Sequence, residues 1–336
     1  MAATVDLVDA LGVMARVFAA DGSGQVSSME KTMTAFAGGG TLHSLGAALP
    51  EVVGVKSWAH TPGGADPALL LLDAATGRII AVIEAFALGQ LRTAATAGLA
   101  TDHLASPDAS VLAVIGSGKQ ALAQVAAVAA VRRLDEVRVF SPTPAHREDF
   151  AARVGDELDL DCRPAATAAE ACSGADIVTL VTRARSPVLT ADLLRPGMHV
   201  NAVGAIDLAR REFDPSILGE AEVVATDSVE QTRKLSSELR EWFGSRPDGW
   251  DGLRSLGEVV HQGLRRSQDT SVTLFKGMGS GVEDVALGVE ILERVTRQGG
   301  GTLIERRGRV RPVLSRRSST TDGLGDEGRV VVSSHD

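Results

Sequence analysis

The run SVLAVIGSGKQALAQVAAVAAV (residues 110–131) narrows the choice of fold more than any other stretch of the chain. It is a short β-branched run, a glycine turn and an alanine-rich helix. Gly116 and Gly118 stand directly after the strand and at the start of the helix. Gly116 would make the tight turn, and Gly118 would let the backbone approach a pyrophosphate held at the helix N-terminus. Ala121 takes the third position, where a small residue permits close helix–strand contact, and Gln120 belongs to the same turn. Such a turn on its own also occurs without a ligand, so its flanks decide. EVRVFSPT reads as a second strand and HREDFAARVG as a helix. ADIVTLVTRA, HVNAVGA, AEVVATD and SVTLFKG read as further apolar strands. Strands alternating with helices argue for a parallel sheet covered on both faces, an α/β fold.

The flanking regions have a different texture. ATVDLVDALGVMARVFAADGSG carries apolar residues at helical spacing and ends at a glycine-rich stop. PALLLLDAATGRIIAVIEAF (67–86) reads as two strands joined by a turn at DAATG, and GGGTLHSLGAALPE (38–51) as a loop. ALGQLRTAATAGLA (87–100) lies in a helix running to about Ala105, where SPD breaks it. Residues 229–270 read as mostly polar helix and loop. GVEDVALGVEILERVTRQ is an amphipathic helix with Val282, Val285, Ile291 and Val295 available for one face. From about residue 299 the chain is rich in Gly, Ser and Arg, with Arg306, Arg307, Arg309, Arg311, Arg316 and Arg317 close together. That composition suits a disordered extension better than a phosphate- or membrane-binding arm.

Charge and composition exclude several functions. A formal net charge of -9 argues against general binding of nucleic acid, and 3% aromatics with no Tyr leave no stacking platform. No apolar run approaches bilayer-spanning length, so no membrane partner is expected. Cys162 and Cys172 stand in no metal-ligand spacing and read as reduced thiols of a cytoplasmic protein. No metal site is expected, and none of the seven histidines falls in a catalytic motif. His43, His60 and His103 read as polar or partly buried fillers. At 336 residues the chain can hold two domains with cores of their own.

The end of the second strand bears on the cofactor. A site for NAD normally places Asp or Glu there, bonded to the ribose 2′-hydroxyl. This chain has VFSPTPAHRE, with Ser141, Thr143 and, further on, Arg147. Hydroxyls and a nearby guanidinium suit a 2′-phosphate better, which favours NADP(H) and leaves NAD(H) possible. Arg147 as a plain surface residue of the next helix is the competing reading.

In their order, LRTAATAGLA, VIGSGKQA, NAVGA followed by RREFD, and TLFKGMGSGVEDVA resemble the ornithine cyclodeaminase/mu-crystallin family over roughly residues 5–297. The resemblance implies a homodimer of subunits with two domains. A substrate and dimerisation domain of α+β type would comprise residues 1–105 and the helix 278–298. A Rossmann NAD(P)-binding domain would span 106–277, and 299–336 would be the tail. The start looks one strand short of the family pattern: either Met1 is a late start, or an edge element is lacking.

The resemblance also gives single residues a purpose. Arg92 matches the arginine that holds the substrate α-carboxylate, for which guanidinium geometry is suited. A local salt bridge is its bland reading, which a cation near a helix start makes less favourable. Lys56 in VVGVKSWAH matches the lysine at the reacting centre, where desolvation would lower its pKa and ease proton transfer. Lys31 falls near a second carboxylate-binding arginine of the family and keeps the charge without the fork. Thr182, Asn201, Val203 and Gly204 are expected at strand ends facing the cofactor crevice. Asp227, Lys276, Glu283 and Asp284 match family positions, with hinge and helix-capping roles as the competing reading.

Ile206 departs from the pattern. Cyclodeaminases carry there an aspartate that binds the distal amino group of the substrate, and isoleucine accepts no hydrogen bond. Neighbouring Asp207 should point elsewhere. The expectation is therefore an NAD(P)H-dependent reductase of an imine or ketimine beside a carboxylate, in reverse an L-amino-acid dehydrogenase. The first alternative is an ornithine- or lysine-type cyclodeaminase that recycles NAD+ and releases ammonia. The second is a non-catalytic protein that binds NADPH and a small molecule, as the resemblance to mu-crystallin allows.

Overall fold

Two sheets of opposite kind organise the chain. The computed structural model describes residues 4–245, 249–267 and 270–304. Residues up to Gly299 form one compact unit. Of the second unit only residues 300–304 are described, without helix or strand, and the arginine-rich stretch beginning at Arg306 lies outside the described residues.

The first helix, α1 (Leu7–Gly22), is closed at its start by reciprocal bonds between Asp6 and Asp9. It buries Ala10, Val13, Met14, Val17 and Phe18, the spacing of a single helix face. Five antiparallel strands follow: β1 (Ser27–Phe36), β2 (Gly40–Ala48), β3 (Val52–His60), β4 (Ala68–Asp73) and β5 (Ile79–Glu84), paired in sequence order. The β4–β5 turn falls at DAATG as expected. Residues 38–51 are not a loop. Their centre is β2, paired with β3 from Thr41 opposite His60 to Ala48 opposite Val53. Gly38, Gly39 and Gly40 at its start and Gly46 within it mask that strand in the sequence, and its neighbours impose it.

Helix α2 (Phe86–Leu104) leads into an eight-stranded sheet in which every pairing is parallel. Its strands are β6 (Val111–Ile115), β7 (Glu136–Phe140), β8 (Cys162–Pro164), β9 (Ile177–Leu180), β10 (His199–Ala202), β11 (Ala221–Thr226), β12 (Leu253–Ser255) and β13 (Val272–Lys276). The order is β12-β11-β13-β10-β9-β6-β7-β8. Read from β8 to β13 it is the doubly wound Rossmann order, which reverses between β6 and β9, where ligand crevices of such sheets open. All residues of β9, β10 and β13 are buried, which is why these strands read as largely apolar, with Thr179, His199, Asn201, Thr273 and Lys276 as buried polar exceptions. The intervening helices are α3 (Ala121–Val131), α4 (Pro144–Leu158), α5 (Ala168–Cys172), α6 (Ile217–Glu220), α7 (Val229–Leu235), α8 (Ser237–Phe243) and α9 (Leu256–His261).

Two close approaches tie the sheets together. The small residues of α2 let it lie against α3: a Cβ on Gly98 would stand 3.0 Å from the Ala127 carbonyl oxygen. The last helix, α10 (Gly281–Arg297), leaves β13 and crosses the antiparallel sheet. There a Cβ on Gly281 would stand 2.0 Å from the Gly46 carbonyl oxygen of β2, so only glycine fits. Val282, Val285 and Ile291 of α10 are buried in the core shared with α1 and α2, and Val295 packs at its edge.

Candidate active site

Strand alternation places Lys56 and Trp58 on one face of β3, and pairing sets His43 of β2 opposite Trp58. The two rings stack, with centroids 4.9 Å apart. The Lys56 ammonium stands 5.4 Å from the Trp58 ring centre and that of Lys31 stands 5.8 Å from it. Lys31 belongs to the irregular part of β1 between Met29 and Thr32.

Arg92 reaches the same place from α2. It is the seventh residue of that helix, beyond the first turn, so the helix dipole does not bear on it as expected from the sequence. Nη1 lies 2.5 Å from Glu283 Oε2 and Nε lies 3.2 Å from Asp284 Oδ1. Lys56 Nζ lies 2.6 Å from Asp284 Oδ2. Glu283 and Asp284 occupy the first turn of α10, and the tight crossing at Gly281 sets their position. Ser280 caps that helix, so the two carboxylates are not cap residues. Asp227 accepts the backbone N–H of Met278 and of Gly279, which fixes the turn after β13 against the Arg92 guanidinium.

Burial and crowding of like charge shift these groups. Burial, opposed by Asp284 and reinforced by the Arg92 charge, holds the Lys56 ammonium below the usual lysine range. Burial, with Arg92 and Lys56 nearby, does the same to Lys31. Burial raises Asp227 despite its two backbone donors. Glu283 is pushed up to about 8 by burial, against the pull of Arg92 and with the Asp227 and Asp284 charges adding to the rise. Among the described residues the buried Glu283 Oε1 lacks a hydrogen-bond partner, and the Asp284 oxygens are held by the Lys56 and Arg92 ion pairs alone.

The glycine turn has the geometry that close approach of a phosphate needs. Gly116 adopts φ 113°, and a Cβ there would stand 2.6 Å from the Val181 carbonyl oxygen. A Cβ on Gly118 would meet nothing within 4 Å, so open space lies above the turn. Ala121 is fully buried, and Gln120 directly precedes α3 without a capping bond, its buried Oε1 unpartnered among the described residues. At the tip of β7, Arg147 Nη1 donates to the Ser141 carbonyl at 3.0 Å, and Ser141 Oγ donates to the Thr143 carbonyl. The turn abuts α2, with the Lys119 ammonium 5.8 Å from the Phe86 ring centre.

The remaining expected residues divide. Thr182 and Gly204 follow β9 and β10, but the Thr182 hydroxyl donates to Glu212 Oε1 at 2.9 Å. Val203 is buried beside Gly277. Asn201 does not face the crevice: its amide donates to Thr101 of α2, and its oxygen meets His199. Lys276 is fully buried and donates to the Ala205 carbonyl. Ile206 is half-buried. Asp207 turns to Arg210 at 3.3 Å and to the Ala209 N–H. Reading the sequence passed over Trp58 and Glu212 and took His43, which stacks on Trp58, as a filler. Trp58 and His43 were signalled by their place two residues from Lys56 and across the strand pair; Glu212 had no such signal. Among the described residues no acidic, His or Cys cluster suits a metal, and no helix is long and apolar enough to cross a membrane.

A family model for ornithine cyclodeaminase/mu-crystallin proteins matches residues 4–299. The chain belongs to this family. The ketimine reductase mu-crystallin of Rattus norvegicus is 34% identical over 217 residues, which are 65% of this chain and 66% of the relative. The Delta(1)-pyrroline-2-carboxylate reductase of Thermococcus litoralis, solved in complex with NADH and L-proline, superposes with a TM-score of 0.82. It is 26% identical, over 90% of this chain and 97% of that one. A probable ornithine cyclodeaminase from Bordetella pertussis Tohama I has a TM-score of 0.81 at 30% identity, over 89% and 96% of the two chains. Family membership thus spans reductases and cyclodeaminases, and residues of this chain have to distinguish them.

Proposed function

We propose that this protein is an NAD(P)H-dependent reductase of an imine or ketimine beside a carboxylate, and in reverse an L-amino-acid dehydrogenase. The observation that carries this reading is the cluster of Arg92, Lys56 and Lys31 against Glu283 and Asp284, at the C-terminal end of the parallel sheet. With Glu283 on Nη1 and Asp284 on Nε, a substrate carboxylate pairs with Arg92 through Nη2, and Lys31 adds a second charge. Lys56, its proton loosened by burial, donates to the imine nitrogen or takes the proton back in reverse, and Asp284 holds its ammonium in place. The glycine turn would hold the pyrophosphate of a dinucleotide, whose nicotinamide would supply or accept the hydride. The chain's part is to hold the reacting carbon in line and exclude water.

Gly116, Gly118, Gln120 and Ala121 fit the dinucleotide, with Thr182, Val203 and Gly204 as the opposite wall. Ser141, Thr143 and Arg147, with no carboxylate beside them, favour NADP(H) over NAD(H). A homodimer is supported by the outer face of the antiparallel sheet, where Phe36, Leu42, Val53 and Val82 are exposed together. A cytoplasmic location is in keeping with Cys162 and Cys172, both unpaired.

The test is loss of cofactor absorbance when the protein meets NADPH or NADH and a panel of substrates. The panel is pyrroline-2-carboxylate, piperideine-2-carboxylate, and pyruvate or glyoxylate with ammonium. Consumption that Arg92→Ala abolishes is the expected result. Ammonia released from ornithine or lysine with NAD+ and no net reduction would instead make Ile206 compatible with cyclodeamination. Nucleotide binding without either reaction would make it a binding protein.

A further inference from the structure

Glu212 lies outside every role described so far, yet its side chain is fully buried and its carboxylate accepts four hydrogen bonds. Oε1 takes the Thr182 N–H at 2.6 Å and the Thr182 hydroxyl at 2.9 Å. Oε2 takes the Gly204 N–H at 2.7 Å and the Ala205 N–H at 2.9 Å. One carboxylate thus joins the turn after β9 to the turn after β10. These turns and the glycine turn are stacked without slack. A Cβ on Gly204 would stand 2.2 Å from the Thr182 carbonyl oxygen, and a Cβ on Gly116 would stand 3.2 Å from Thr182 Cγ2.

The Glu212 backbone is anchored in turn. Its N–H donates to Glu238 Oε1 at 3.0 Å, and its carbonyl accepts from Val188 and Leu189. Lys276 holds Ala205 from the other side through its carbonyl at 2.6 Å. The Thr182 hydroxyl gives its proton to Glu212 and accepts from the Ala184 N–H, so it has no donor left for a ligand.

We propose that Glu212 is a positioning residue for the cofactor crevice. Its carboxylate fixes the turns after β9 and β10 at the spacing from the glycine turn that the nicotinamide end of the dinucleotide requires. The proposal rests on the reading of that crevice as a dinucleotide site. Hydrogen bonds to a charged acceptor are strong and directional, so few other side chains could span the two turns. An amide in place of the carboxylate offers one acceptor oxygen and sets an NH2 against an N–H.

The test is fluorescence titration of the full chain with NADPH and with NADH, reading binding apart from turnover. Glu212→Gln is expected to weaken the Kd roughly tenfold or more. Thr182→Val is expected to weaken it several-fold, and Thr182→Ser to restore it. Val17→Ala, a core truncation in α1 away from the crevice, serves as the stability control and should lower Tm while leaving the Kd unchanged. If Glu212→Gln does not fold, the Thr182 pair carries the test alone. Wild-type affinity in both Glu212→Gln and Thr182→Val, or a loss in either that Val17→Ala matches at the same fall in Tm, would overturn the proposal. Failure of the wild-type chain to bind either nucleotide would overturn the crevice reading first, and this proposal with it.

Discussion

Arg92 owes its place in a helix of small residues to the carboxylates of α10, and its partner Glu283 makes it pH-sensitive. With Glu283 pushed up to about 8, the side chain is mostly neutral near pH 7, and the guanidinium faces Asp284 and an incoming carboxylate. As pH rises through about 8, Glu283 ionises and competes with the substrate for Arg92. The expected outcome is a KM for the carboxylate substrate that climbs through that range, and a flatter profile in Glu283→Gln. A wild-type KM that stays level would contradict it. The sign for stability agrees: a folded pKa raised from 4.5 means a proton kept by the folded state and lost by the unfolded one. Its contribution is present below about 4.5 and disappears as pH rises to about 8. Lys56 and Arg92 were legible because they sit in recognisable runs. Glu212 was not: its partners lie seven to thirty residues away, and nothing in RREFD shows which charge turns inward.

Among the elements, six of the eight parallel strands were legible, β8 and β12 being only three residues each and β12 lying in a stretch read as polar helix and loop, while only β4 and β5 of the five antiparallel strands were. Strands buried on both faces write themselves as apolar runs, as in β9 and β13, and the glycine turn fixes their phase. Strand β1 is exposed along almost its whole length, and β2 is broken by glycines, so pairing rather than composition defines both. The alanines of α2 answer to packing. Gly98 touches Ala127 of α3 and Leu11 of α1 at 3.0–3.1 Å from where a Cβ would be. Gly98→Val should therefore drive the helices apart and cost roughly 1–3 kcal/mol of stability, read as a lower denaturant midpoint. An unchanged midpoint would mean that α2 is less tightly held than these distances state.

For the whole molecule, the two sheets divide the work: the parallel sheet carries the glycine turn, and the antiparallel sheet carries Lys31 and Lys56. The apolar outer face of the second sheet needs a cover, which the proposed homodimer supplies. Leu42→Glu with Val82→Glu should yield monomers in sedimentation, and a dimer that survives both charges would place the contact elsewhere. The proposed substrate site takes Lys31 from β1, Lys56 from β3, Arg92 from α2 and Glu283 and Asp284 from α10, which no single run of the sequence shows together. The most direct test of the central claim follows the hydride. NADPH or NADH deuterated at the transferring C4 position is given to the protein with the imine panel, and the product is examined by NMR. Deuterium at the carbon beside the carboxylate, absent with Arg92→Ala, is the expected result. A product free of deuterium, with ammonia leaving ornithine or lysine and no net change in added NAD+, would contradict it.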